Sequence, residues 1–149
     1  DYELYPLYLE TIESNLKKDL YFMGGCGDYS IFKELCDGFG IKNCFIFDLD
    51  VINKNSTNFN KYTDIKQKIV SLGKELKKDV SKDKRSENLF NVNLTATEIK
   101  LKEEIINDLR ALNYFILPSG AIENYIDNNG NLIGNKTELD NIFNPIEIL

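Results

Sequence analysis

The sequence predicts an α/β fold in which helices cover a mostly parallel sheet. Three observations predict it. Segments with apolar residues every three or four positions alternate along the chain with short apolar runs. One such run, residues 43–47 (NCFIF), suits a strand covered on both faces, as in a parallel sheet. The chain has 149 residues, 42% hydrophobic and 28% charged, enough to bury one core, so residues 1–149 are expected to form a single domain.

Each element has its own signal. Leu4, Tyr8, Ile12 and Leu16 recur every four residues and mark one helix face. Pro6 fits if that helix starts within residues 2–5, because a first-turn residue needs no intrahelical N–H partner. Residues 19–23 (DLYFM) read as a short strand, broken by Gly24-Gly25-Cys26-Gly27. A second helix follows with Phe32, Leu35, Cys36 and Phe39 on one face. Asp28 or Ser30 is its expected cap, and Gly38 and Gly40 its stop. The strand at 43–47 runs into Asp48-Leu49-Asp50, and 53–60 are loop residues.

Ile65, Ile69, Leu72 and Leu76 predict a third helix, lysine-rich on its other face. Residues 81–93 are polar and poorly patterned. Thr95 and Glu98 have capping-box spacing and open a helix that buries Leu101, Ile105, Leu109 and Leu112. Residues 114–117 read as another strand, ended by Pro118-Ser119-Gly120. A short helix at about 120–126, a turn at 127–131 (DNNGN) and a last helical piece at 137–143 complete the chain. Three strands make a thin sheet, so a further strand is expected upstream of Asp1.

Composition removes whole classes of chemistry. With no histidine there is no Ser-His-Asp triad, no Cys-His pair and no imidazole metal site. Cys26, Cys36 and Cys44 are an odd number at irregular spacing, which suits reduced thiols in a cytoplasmic protein better than a disulfide framework. No apolar run reaches the roughly 18–20 residues of a membrane span. The net charge of −6 argues against bulk electrostatic attraction to nucleic acid. Residues 61–85 nevertheless hold nine basic side chains against four acids. The lysine-rich helix there is either a solvated face or a strip that tracks phosphates.

The acids carry what chemistry remains. In an open parallel sheet, ligands bind outside the carboxyl ends of the strands. Asp48 and Asp50 stand two apart at such an end. Two carboxylates this close repel unless a cation lies between them, which makes the pair a candidate Mg²⁺ site. The plain alternative is a strand-end Asp capping a turn beside a solvated neighbour. Glu123 leads a short helix, where a first-turn acid is also favoured by the helix dipole. Asp1 could equally be a helix cap. The 24–27 loop could approach a phosphate but lacks the Lys-Ser/Thr of a Walker A loop, and a tight turn explains it as well.

These pieces in this order resemble the TOPRIM domain, and more closely that of OLD-family (overcoming lysogenization defect) nucleases, Gabija-like among them. The opening acid of "DYELYPLYLE" looks like the second acid of the family's Glu-Gly-x-x-Asp/Glu strand end. "GGCGD" matches its glycine loop, "FIFDLD" its D-x-D, and "YFILPSGAIENYI" its later strand, glycine and acid. The resemblance spans about residues 1–126. It implies a TOPRIM-like three-layer sandwich acting as a metal-dependent DNA endonuclease, a hydrolase of phage (antiviral) defence. Asp1, Asp48, Asp50 and Glu123 would then hold Mg²⁺ or Mn²⁺, with Asp48, Asp50 and Glu123 catalytic. It implies as partners DNA, an N-terminal ABC-type ATPase domain and homo-oligomerisation. The first Glu of the motif is absent here, and Lys136 is the candidate for the family's downstream lysine.

Three rivals remain. A HAD-type phosphatase also uses D-x-D, but on its first strand and with Thr or Val where this chain has Ile52. A TOPRIM primase or topoisomerase would not carry "LPSGAIENYI". A non-catalytic regulatory or partner-binding α/β domain would keep the fold and lose the chemistry.

Overall fold

A computed structural model describes residues 3–15, 19–23, 26–54, 59, 61–76 and 93–147, save the side chains of 26, 53 and 54. It is a mixed α/β structure whose chain divides into two compact units. One comprises residues 45–120, the other residues 1–44 with 121–149.

The 45–120 unit is built on two parallel strands, β1 (Phe45–Phe47) and β2 (Tyr114–Ile116), with Phe45, Ile46 and Phe47 opposite Tyr114, Phe115 and Ile116. Phe45 and Phe47 point to one face because side chains alternate along a strand. Their rings stack at 6.1 Å, and both lie 6.0–6.2 Å from the Tyr114 ring. Phe59 and Tyr62 approach that ring at 6.1 and 6.2 Å, so Tyr114 is the hub of an aromatic core. Each such pair adds about 0.5–1.5 kcal/mol beyond area burial. All three β2 residues are buried, as a strand covered on both faces requires.

α3 (Asp50–Lys54), α4 (Thr63–Glu75) and α5 (Ala96–Arg110) belong to the same unit. α4 packs on α5, and α5 on β2. Ile65, Ile69 and Leu72 of α4 and Ile105 and Leu109 of α5 are buried, as their periodicity predicts. Leu101 and Leu112 are only half-buried. The capping box at Thr95 is formed in full: the Glu98 N–H donates to Thr95 Oγ1 at 3.3 Å, and the Thr95 N–H donates to Glu98 Oε2 at 2.6 Å. Asn113, at φ 64°, turns the chain from α5 into β2, in a conformation asparagine tolerates better than most residues.

The other unit holds α1 (Leu4–Thr11), α2 (Tyr29–Gly38) and α6 (Lys136–Glu147). Pro6 lies in the first turn of α1, where its missing N–H costs nothing. Leu4, Tyr5, Tyr8 and Leu9 are buried, with the Tyr5 and Tyr8 rings 6.4 and 5.4 Å from Phe143 of α6. Leu139, Ile142 and Phe143 form the buried stripe of α6. That helix runs past the predicted residue 143, with Pro145 inside it.

A turn at 127–131 joins the isolated antiparallel bridge between Ile126 and Leu132. Asp127 Oδ1 accepts the N–H groups of Asn129 and Asn131, both at 2.9 Å. Gly130, at φ +83°, lies so near α1 that a Cβ there would meet Leu7 Cβ at 3.2 Å.

Several expectations change. Residues 20–23 are not a strand, and Tyr21 is 83% exposed. A strand needs a neighbouring strand, and the sheet among the described residues consists of β1 and β2 alone. The sheet accordingly has two strands, not three, among the described residues. α1 ends at Thr11, leaving Ile12 exposed, and Leu16 lies outside the described residues. The short helix predicted at 120–126 is one 3₁₀ turn, Ile122–Asn124.

α2 forms where expected but is oriented otherwise. Asp28 is its N-cap residue without a side-chain cap bond. Its end is a Schellman motif: Ile41 N–H donates to the Cys36 carbonyl, Gly40 N–H to the Asp37 carbonyl, and Gly40 sits at φ +68°. Phe32, Leu35 and Phe39, predicted to be buried, are exposed. Periodicity identifies an apolar face but not what covers it.

Candidate functional site

The carboxyl edge of the two-stranded sheet carries Asp48-Leu49-Asp50 after β1 and Pro118-Ser119-Gly120 after β2. Two hydrogen bonds join these segments. Leu117 N–H donates to the Phe47 carbonyl at 3.0 Å and continues the parallel ladder. Leu49 N–H donates to the Gly120 carbonyl at 2.7 Å and closes the edge. Gly120 is buried and at φ +126°, a backbone conformation that only glycine adopts without strain.

Leu49 is fully buried, whereas Asp48 and Asp50 on either side of it are half-buried. The buried leucine anchors the turn and sets an acid at each flank. The Val51 and Ile52 N–H groups then donate to the Asp48 and Leu49 carbonyls, at 3.2 and 3.1 Å, as the chain enters α3. Asp50 is the first residue of that helix, where the dipole favours a negative charge. The structure sets Asp48 and Asp50 just past the carboxyl end of β1.

The other predicted ligands stand differently. Asp1 lies outside the described residues. Glu123 is exposed on the 3₁₀ turn Ile122–Asn124, in the unit that does not contain the two aspartates. Ala121 N–H donates to Asn124 Oδ1 at 2.8 Å and caps that turn. Among the described residues no three Asp, Glu or Cys side chains are grouped as ligands of one ion. Asp48 and Asp50 alone are hard oxygen donors of the type magnesium takes, an ion that commonly binds through one or two carboxylates and keeps several waters.

Lys136, the candidate downstream lysine, opens α6 and pairs with Asp140 at 2.6 Å, which raises its pKa. Behind it the buried Tyr8 phenol is pushed up, chiefly by burial. Glu138 accepts a 2.5 Å hydrogen bond from the Tyr125 hydroxyl. These contacts tie α6 to its own unit.

The Cys26 side chain lies outside the described residues. Cys36 and Cys44 are free, and burial raises the Cys44 thiol, which leaves it protonated near neutral pH.

The basic strip is partly neutralised by a contact that sequence reasoning missed. Lys68 of α4 donates to Asp108 of α5 at 2.7 Å and lies 3.7 Å from Glu104. The signal was present as acids four apart on α5, but only the packing of α4 on α5 sets them against Lys68. An open groove of about 730 Å³ runs beside this pair, lined by Lys61, Tyr62, Asp64, Lys68, Asp108 and Leu112 among others. Its charges are mixed, and neither Asp48 nor Asp50 lines it. Among the described residues, no helix is long and apolar enough to cross a membrane.

No protein-family model, no curated protein and no solved structure matches this chain.

Proposed function

We propose that the chain supplies the carboxylate edge of a metal-dependent DNA endonuclease, with Asp48 and Asp50 as ligands of Mg²⁺ or Mn²⁺. The observation that carries the reading is the 2.7 Å hydrogen bond from Leu49 N–H to the Gly120 carbonyl. It holds the D-x-D turn against the loop after β2, at the edge where open parallel sheets bind their ligands. The likeness of "FIFDLD" and "LPSGAIENYI" to TOPRIM domains of OLD-family nucleases adds the reaction class, phosphodiester hydrolysis in phage defence. The three-layer TOPRIM sandwich, the ATPase partner and homo-oligomerisation belong to the same proposal.

A divalent cation in such a site supplies Lewis acidity and a water acidic enough to attack phosphorus. The chain's own part is electrostatic and positional. Buried Leu49 fixes the turn, and the two carboxylates favour a cation over their mutual repulsion. The proposal is confined to Asp48 and Asp50 among the described acids, and Glu123 enters through its test.

Mg²⁺ or Mn²⁺ raises the melting temperature of the chain on this reading, Asp48→Asn abolishes the rise, and Glu123→Gln reports whether that acid contributes. A melting curve indifferent to both ions sinks the metal site. In a plasmid-nicking assay with Mg²⁺ or Mn²⁺, Asp50→Ala eliminates nicking. Nicking at the unsubstituted rate removes Asp50 from the mechanism.

One observation favours a second reading. No three-acid ligand group exists among the described residues, as in a regulatory or partner-binding α/β domain without catalysis. That reading requires both the melting shift and the nicking to be absent.

A further inference from the structure

We propose that Asn129 is a deamidation site and that Asp127 governs its rate by holding the surrounding turn shut. Asn129 alone among the asparagines of this chain precedes a glycine. Glycine has no Cβ to shield its backbone nitrogen, so that nitrogen can reach the side-chain carbonyl of the residue before it. Asn129 is also exposed, in a turn closed by the antiparallel bridge between Ile126 and Leu132.

The chemistry needs only water. The Gly130 nitrogen attacks Asn129 Cγ. A C–N bond forms, the Cγ–Nδ2 bond breaks, and ammonia leaves with the proton of the Gly130 amide. Water then opens the resulting succinimide at either carbonyl. One opening leaves aspartate. The other leaves isoaspartate, in which the backbone runs through the former side-chain methylene. Either product places a new negative charge near Asp127.

The folded turn opposes that attack. Gly130 N–H donates to the Asp127 carbonyl at 3.0 Å, so the attacking nitrogen is engaged until the turn opens. Asp127 holds the turn through its other polar atoms as well. Its N–H donates to the Asn131 carbonyl at 2.9 Å, its Oδ1 accepts the Asn129 and Asn131 N–H groups, and its Oδ2 accepts from Asn131 Nδ2 at 3.2 Å. Deamidation therefore proceeds from the locally opened turn, whose population these bonds set.

The product alters the contact between the turn and α1. Gly130 is buried at φ +83°, and a Cβ there would stand 3.2 Å from Leu7 Cβ and 3.6 Å from the Leu7 carbonyl. A backbone lengthened by one methylene cannot keep Gly130 in that place, so isoaspartate loosens the turn from the helix. None of this depends on the nuclease reading.

Incubation of the whole chain at mildly alkaline pH, followed by peptide mapping that distinguishes isoaspartate from aspartate, tests the site. Residue 129 should convert ahead of every other asparagine. Asn129→Gln should abolish conversion there, because glutamine must close a larger and slower ring. Its folding should be intact, since the bond to Asp127 comes from the backbone N–H. Asp127→Ala should speed conversion several-fold in the folded chain, whereas in concentrated urea parent and variant should convert at similar rates. The isoaspartate form, separated by anion exchange, should melt below the parent. Failure of residue 129 to convert first overturns the site. Equal rates for the folded parent and Asp127→Ala overturn the restraint by Asp127, and an isoaspartate form that melts with the parent overturns the link to α1.

Discussion

The backbone N–H of Leu49 donates to the carbonyl of Gly120 across 2.7 Å, although the two residues lie far apart in the chain. The turn after one parallel strand thereby depends on the backbone conformation of the loop after the other. Asp48 and Asp50 take their positions from that turn.

Gly120→Ala tests the dependence. At φ +126° a Cβ is strained, and sparsely populated backbone regions cost about 1–3 kcal/mol. Urea unfolding should show a loss of that size, and any metal-induced melting shift should shrink with it. Full stability in the alanine variant would show that the loop relaxes without the glycine.

Thr95→Ala should cost about 1 kcal/mol, the usual value for removing an N-cap oxygen. The Glu98 N–H loses its acceptor, while the Glu98 carboxylate, buried to 9% exposure, keeps the residue 95 N–H. A change below about 0.3 kcal/mol in chemical denaturation would mean that packing of α5 holds the helix end without its cap.

Asp127 gives a pH signature. The Asn131 backbone N–H, foremost among its donors, holds the carboxyl below the ordinary value of 3.8. A depressed folded pKa contributes stability that is present above 3.8 and lost as pH falls through the folded value. Asp127→Ala should therefore be destabilising at neutral pH, and its difference from the parent should vanish in strong acid. A difference independent of pH would place the effect in the turn backbone instead.

Exchanging Lys74, Lys77 and Lys78 for Glu should weaken DNA retention and lower the salt slope by up to about three, roughly one per phosphate contact. Lys74 is exposed in the last turn of α4, and Lys77 and Lys78 lie outside the described residues. Lys68→Ala should change DNA binding far less, because Asp108 and Glu104 already occupy that ammonium group. Equal losses from both variants would contradict the pairing of Lys68 with Asp108 and Glu104 as the ground for the difference.

Local chemistry was legible wherever neighbours in sequence are neighbours in space. The Thr95 capping box, the stop at Gly40, the turn at Asp127 and the buried stripes of α4 and α5 all depend on residues within a few positions of one another. The apolar run 43–47 likewise announced a strand, which forms over Phe45–Phe47 with Phe45 and Phe47 buried and Ile46 half-buried.

The sequence by itself marked α1, α2, α4, α5 and α6, the two paired strands and the placement of a D-x-D pair at a strand end, but not the short helix α3. Tertiary structure decided that 20–23 pair with no strand among the described residues, that α2 turns its apolar side outward, that Lys68 is met by Asp108, and that the 118–120 loop clasps the 48–50 turn. The physical reason is common to all four. A ladder partner, a covering surface, a counter-ion and a distant carbonyl come from segments remote in the chain. Hydrophobic period and cap chemistry report only the first few residues on either side.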